Sequence, residues 1–188
     1  MKKLIALAAM TLISGVAMAN EPGKSDTGLE YNQFSVDYQT FKVSGTNFTG
    51  YSTGGSLLFT DNIYALGSYT SVTHTGSTAI ETSYLGLGYR LGIAANTDAF
   101  ASLAYNSMTQ SSTKTGYAVT MGVRSKIADP VDVTGTYTYS TAGSSYFNTF
   151  GVGLNYKITD MFFAKVGYAS YSGTTSATAY NVGVGVRF

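Results

Sequence analysis

Residues 180–188 read YNVGVGVRF, and no other stretch restricts the fold as much. A strand turns successive side chains to opposite faces, so Val182, Val184, Val186 and Phe188 share one face and Asn181, Gly183, Gly185 and Arg187 the other. A line of four apolar side chains must touch an apolar medium. The opposite face carries glycine, an amide and a charge instead of core-sized groups, so the strand reads as apolar outward and polar inward. This inverts the pattern of a water-soluble barrel and predicts a strand that crosses a bilayer.

The N-terminus fits an exported chain. Lys2 and Lys3 precede an apolar run from Leu4 to about Val16, and Ala17, Met18 and Ala19 supply the small residues of a cleavage site. We expect residues 1–19 to be a signal peptide and the mature chain to start at Asn20. The apolar run is short for a membrane helix, and no second run of about 20 apolar residues follows. Residues 20–28 are polar and interrupted by Pro22, Gly23 and Gly28, so they are expected to form a loose periplasmic lead-in. A segment folded into the lumen as a plug is the alternative. The barrel itself should occupy residues 29–188. There is no cysteine, hence neither a disulfide nor a lipidated thiol. With the two signal lysines removed, acidic residues outnumber basic ones by one, so there is no basic field for nucleic acid.

The mature sequence repeats itself. Turn signals around Asp61, Asn96 to Asp98, Asp129-Pro130 and Asp160 recur 31 to 37 residues apart. Each introduces a similar strand ending in tyrosine at the same register, Tyr69, Tyr105, Tyr137 and Tyr168, and a first strand without a preceding turn ends in Tyr38. Five complementary strands lead back into the turns or to the C-terminus. The count predicts an all-β, antiparallel, up-and-down barrel of ten transmembrane strands with short links, eight strands being the alternative; an even number puts both chain ends on the periplasmic side.

Aromatic residues mark two heights on the outer face: Tyr38, Tyr69, Tyr105, Tyr137 and Tyr168 at one, Phe59, Tyr156 and Phe188 at the periplasmic ends. Amphipathic rings favour the headgroup level. Tyr51 and Phe59, like Tyr180 and Phe188, are eight residues apart. That is about 26 Å along a strand rising about 3.3 Å per residue, and roughly 20 Å of height at a tilt of about 40°.

These features together resemble the bacterial outer-membrane β-barrel domain family of small porin-like proteins. The resemblance implies residence in the outer membrane among its lipids and lipopolysaccharide. It also implies that Val182, Val184, Val186 and Phe188 form a signal read by the barrel-assembly machinery, a transient partner. Surface-binding roles of eight-stranded members do not transfer, because the links here are short.

Function must lie on the inward face. The lower lumen is expected to hold Tyr64, Phe100 and Phe163 as a packed aromatic base, with glycines leaving room for the rings. A charge network of Arg90, Arg124, Asp132 and Arg187, with Lys126 and Lys157 just below and Asp37 and Lys165 above, should surround it. If Asp132 pairs with Arg124 or Lys126, and Asp37 with Lys165, the lumen is closed or nearly closed and the protein is mainly structural. If a gap remains, the cations form a constriction for a narrow porin-like channel passing small polar or anionic solutes. A surface-interaction barrel is a further reading, with Lys42 and Lys114 near the outer rim in contact with lipopolysaccharide. No enzyme is expected: His74, the single histidine, lacks a neighbouring acid, unlike the Asp/His pair of the ten-stranded omptin proteases, and is read as solvated. No cofactor or metal site is expected.

Overall fold

The computed structural model describes residues 27–188, so the cleavage site and most of the lead-in lie outside the described residues. Ten strands follow one another: β1 Gln33–Val43, β2 Thr46–Leu58, β3 Ile63–Thr73, β4 Ile80–Ala94, β5 Thr97–Thr109, β6 Thr113–Ala128, β7 Val131–Ala142, β8 Ser145–Lys157, β9 Phe162–Gly173 and β10 Ala177–Arg187. Every strand pairs antiparallel with its sequence neighbour, and β1 pairs with β10 from Gln33 opposite Arg187 to Val43 opposite Ala177. The barrel is closed, so no strand edge is left to face hydrocarbon with unpaired N–H and C=O groups. The ten-stranded expectation is borne out.

Turn chemistry explains the tight links. Ser44 and Gly45 both have positive φ, 47° and 86°, between β1 and β2, as a two-residue hairpin with the twist of its strands requires. Near the periplasmic end, register shifts at Gly92/Ala94 in β4 and at Lys126/Ala128 in β6 insert extra residues. These bulges lengthen the two strands below the ladder of their neighbours.

Side-chain parity divides the wall as the sequence predicts. Leu85, Leu87, Leu103, Val152, Val182 and Val184 are outward and exposed. Arg90, Asp132 and Arg187 are inward and buried. Rings of the outer face pair laterally between neighbouring strands: Tyr38 with Tyr51 at 5.8 Å between centroids, and Tyr168 with Tyr180 at 5.1 Å. Tyr137 packs on Phe150 at 4.9 Å, and its hydroxyl donates to Asn148 Oδ1 at 2.7 Å. Tyr69, Tyr105, Phe59 and Tyr156 also lie on this exposed outer face.

Leu87 lies beside Leu103 on the lipid-facing wall. Leu87→Arg is expected to destabilise the barrel in bilayers by about 2–4 kcal/mol if the site is near the midplane. Equilibrium unfolding in guanidinium against the wild type checks this.

Candidate functional site: the polar lumen and its periplasmic base

Each of the three rings expected at the base lies over a glycine of the neighbouring strand. Tyr64 covers Gly88, Phe100 covers Gly122 and Phe163 covers Gly185, and a Cβ at any of the three glycines would collide with the ring above it. Tyr64 and Phe163 are buried, and Phe100 packs against the same cluster.

Among these rings the structure brings together the three arginines. Arg90 Nη1 donates to Asp98 Oδ2 at 3.2 Å, Arg124 Nη2 to Asp132 Oδ2 at 2.9 Å, and Arg187 Nη2 to the same Asp132 oxygen at 3.0 Å. Arg187 Nε also faces Glu30 Oε2 at 3.2 Å, an ion pair without the alignment of a hydrogen bond. The Arg187 guanidinium stands 5.0 Å from the Phe163 ring centre. All three arginines are at least 94% buried, so each needs a partner to offset its desolvation.

Asp98 departs from its expected place in a periplasmic turn. Strand β5 begins at Thr97, and the turn is confined to the residues before it; Asp98 therefore points into the lumen, fully buried, opposite Arg124 in register and bonded to Arg90. Lys126 lies opposite Asp132 in register but pairs instead with Asp129 at 3.1 Å, and Lys157 pairs with Asp160 at 2.6 Å. Both lysines sit at the periplasmic mouth beside Glu30 and Arg187. The hydrogen bond from Lys126 holds the Asp129 carboxyl below the usual carboxylate range. Its contribution to stability is present above that range and is lost as pH falls through the depressed value. Asp129 is fully exposed, so the contribution is small.

The residues before β1 enter the barrel. Thr27, placed by its polarity in a loose lead-in, is buried, and its hydroxyl donates to Asp98 Oδ1 at 2.7 Å. Leu29 is fully buried against Tyr31 and Tyr64. The Glu30 carbonyl accepts from Arg124 Nη1 at 2.7 Å. Tyr31 has the guanidinium groups of Arg90 and Arg124 each 5.6 Å from its ring centre, and its ring is 5.3 Å from that of Tyr64. Its carbonyl accepts from Ser56 Oγ, and Asn32 Oδ1 accepts from the Leu58 N–H at 2.8 Å. Together these residues fill the periplasmic end. Parity was the available signal: positions 27, 29 and 31 continue the inward series of Gln33, Ser35 and Asp37.

Above the base the lumen opens into a cavity of about 510 Å³ along β1 to β3 and β7 to β10. Its lining mixes hydroxyl and amide groups, including Ser35, Gln39, Ser52, Thr136, Asn155 and Asn181, with glycines and apolar groups, and Phe163 lies at the lower end. Lys165 Nζ donates to Asp37 Oδ2 at 3.0 Å and to Ser35 Oγ at 3.2 Å, and Ser52 Oγ donates to the same Asp37 oxygen at 3.3 Å. Higher still, Phe41 and Tyr171 meet at 5.0 Å. Strand β10, which runs between theirs, presents only Ala177 and Ala179 at that level.

At the outer rim His74 is exposed, with Nδ1 3.0 Å from the Asn47 carbonyl and its ring 5.7 Å from Phe48. Among the described residues no group of three or more His, Cys, Asp or Glu side chains could hold a metal ion. Lys42 shares the outer face with Tyr38. Lys114 does not: its parity in β6 is that of Ala118 and Arg124, the lumen side, which corrects its placement against external lipopolysaccharide.

Asp132 serves two buried arginines at once. Asp132→Ala is therefore expected to cost about 3–5 kcal/mol in equilibrium unfolding, as loss of one partner of a buried pair does. Asp160→Ala, at an exposed pair, should cost within about 1 kcal/mol.

No family model matches this chain, and no curated protein matches it in sequence. Solved structures do. The chain is similar to the NanC porin (TM-score 0.55, 9% identity, covering 81% of this chain and 100% of that one) and to the KdgM porin (TM-score 0.50, 17% identity, covering 82% and 99%). With the closed ten-stranded wall and its exposed apolar face, the fold is that of a small bacterial outer-membrane β-barrel, in keeping with residence in the outer membrane.

Proposed function

We propose that the protein is a narrow porin-like channel for small polar solutes. The observation that carries this reading is the cavity of about 510 Å³ between the arginine base and the Phe41–Tyr171 pair. A barrel serving only as a membrane wall gains by filling its interior with side chains, since close packing is what stabilises a protein interior. Here β1 to β3 and β7 to β10 instead face an open volume in which hydroxyls and amides alternate with glycines and apolar groups. Two porins share the fold, which supports the same reading.

The lining favours neutral polar solutes over anions. With residues 27–31 in place, Arg90, Arg124, Arg187 and Lys165 are matched by Asp98, Asp132, Glu30 and Asp37, all within 3.2 Å, so the lumen lacks the surplus of one charge sign by which a charged ring selects ions. A closed structural barrel is the competing reading, and the packed base favours it. The short hairpins at the outer end offer no long binding loop for a surface-adhesion role.

Mature protein refolded into planar bilayers should give discrete conductance steps. Gly153 borders the cavity, and a Cβ added there would have only the Val166 carbonyl within 4 Å; Gly153→Trp should shrink the steps. Steps unchanged by Gly153→Trp would remove this cavity from the conducting path, and a folded barrel that never conducts under any condition would favour the structural reading.

A further inference from the structure

We infer that residues 27–31 are a plug that holds the channel shut at its periplasmic end and can leave without dismantling the barrel. The inference rests on the channel reading. The segment precedes β1, and the ladder around the barrel, including the closing pair of β1 and β10, is complete without it. Its hold on the wall includes one isolated backbone bridge at Glu30 rather than a strand-length ladder, with Thr27 bonded to Asp98, the Glu30 carbonyl to Arg124, Glu30 paired with Arg187, the Tyr31 carbonyl bonded to Ser56, and the Tyr31 ring among Arg90, Arg124 and Tyr64.

The charges decide whether departure is possible. A plug that supplied the only counter-charge to a buried arginine could not leave, because the exposed charge would be stranded in a low-dielectric site. This one supplies none of that kind. When it leaves, Arg90 keeps Asp98, while Arg124 and Arg187 keep Asp132. Each arginine thus keeps a carboxylate contact, and the one net positive charge that the departure of Glu30 leaves in the base meets the water that enters it. Besides the Glu30 carboxylate, the segment provides bulk, chiefly Leu29 and Tyr31, at the centre of the base. Its loss joins the cavity above to the periplasm, and water can then replace the few hydrogen bonds that are broken.

The test compares mature protein, a form shortened to begin at Asn32, and the double variant Leu29→Ala/Tyr31→Ala, which keeps the full chain. All are refolded into planar bilayers, with folding checked by resistance to cold detergent. The shortened form and the double variant are expected to raise the open probability by at least about tenfold, the population change that corresponds to about 1.4 kcal/mol. A synthetic peptide of residues 20–32 added to the periplasmic side of the shortened form should close it again; the same peptide with Leu29 and Tyr31 replaced by alanine should not. Folded variants that conduct like the mature protein overturn the plug and leave the channel standing. Folded variants as silent as a silent mature protein overturn both. Failure of the peptide to close an opened, shortened barrel also overturns the plug, because the added conductance then comes from a loosened wall.

Discussion

Hydrocarbon offers a peptide group no hydrogen-bond partner, and that constraint governs this molecule. A ladder that starts at Gln33 and ends at Arg187 meets it only because those two residues pair with each other. Once the sheet is closed, every residue of a strand has one of two fates, toward lipid or toward lumen, and a shift of one position would exchange them all. Valine and leucine take the first. Glycine, hydroxyls, amides and charges take the second.

The lumen follows from what remains when apolar bulk is sent outside. Charged groups placed inward must be compensated, and they are, by neighbours close in the wall: Arg124 and Asp132 lie on adjacent strands, as do Arg90 and Asp98. Large rings placed inward need floor space, which the glycines of adjoining strands provide. Gly88, Gly122 and Gly185 are thus part of the base as much as Tyr64, Phe100 and Phe163 are. A strand interior rich in glycine is weak on its own; here the ring seated on it restores the lost contact. The cavity lies where the wall is rich in serine, threonine and glycine and the one long cation, Lys165, is folded across β10 onto Asp37.

Much of this could be read from the chain. The period-two alternation at Val182, Val184 and Val186 and the recurring tyrosines fixed the fold, the strand count and the outward face, because strand parity is a local property. Neighbouring inward positions offered Asp132 either Arg124 or Lys126, and Asp37 Lys165; in the structure Asp132 meets Arg124, and Lys126 turns to Asp129. Asp98 escaped because a turn signal, Asn96 to Asp98, overlaps the first residues of β5, and turn chemistry says where the chain reverses but not how many residues the reversal takes. Thr27, Leu29 and Tyr31 escaped for a different reason. Thr27 and the nearby glycines resemble a free terminus, while Leu29 and Tyr31 fall within the expected barrel span without a local sign of their place, and what fixes all three is tertiary: Asp98, Arg124 and Tyr64 lie far away in sequence and are brought to one level only by closure of the barrel.

Since the whole account depends on which face of the wall meets lipid, the most direct measurement is a scan of β10 by nitroxide labels in a folded, bilayer-embedded barrel. Labels at Val182 and Val184 should collide with dissolved oxygen, which concentrates in lipid, while labels at Asn181 and Gly183 should collide with a water-soluble relaxation agent. Alternation with a period of two and this phase is the expected result. A flat profile, or alternation with the phase reversed, would contradict the account.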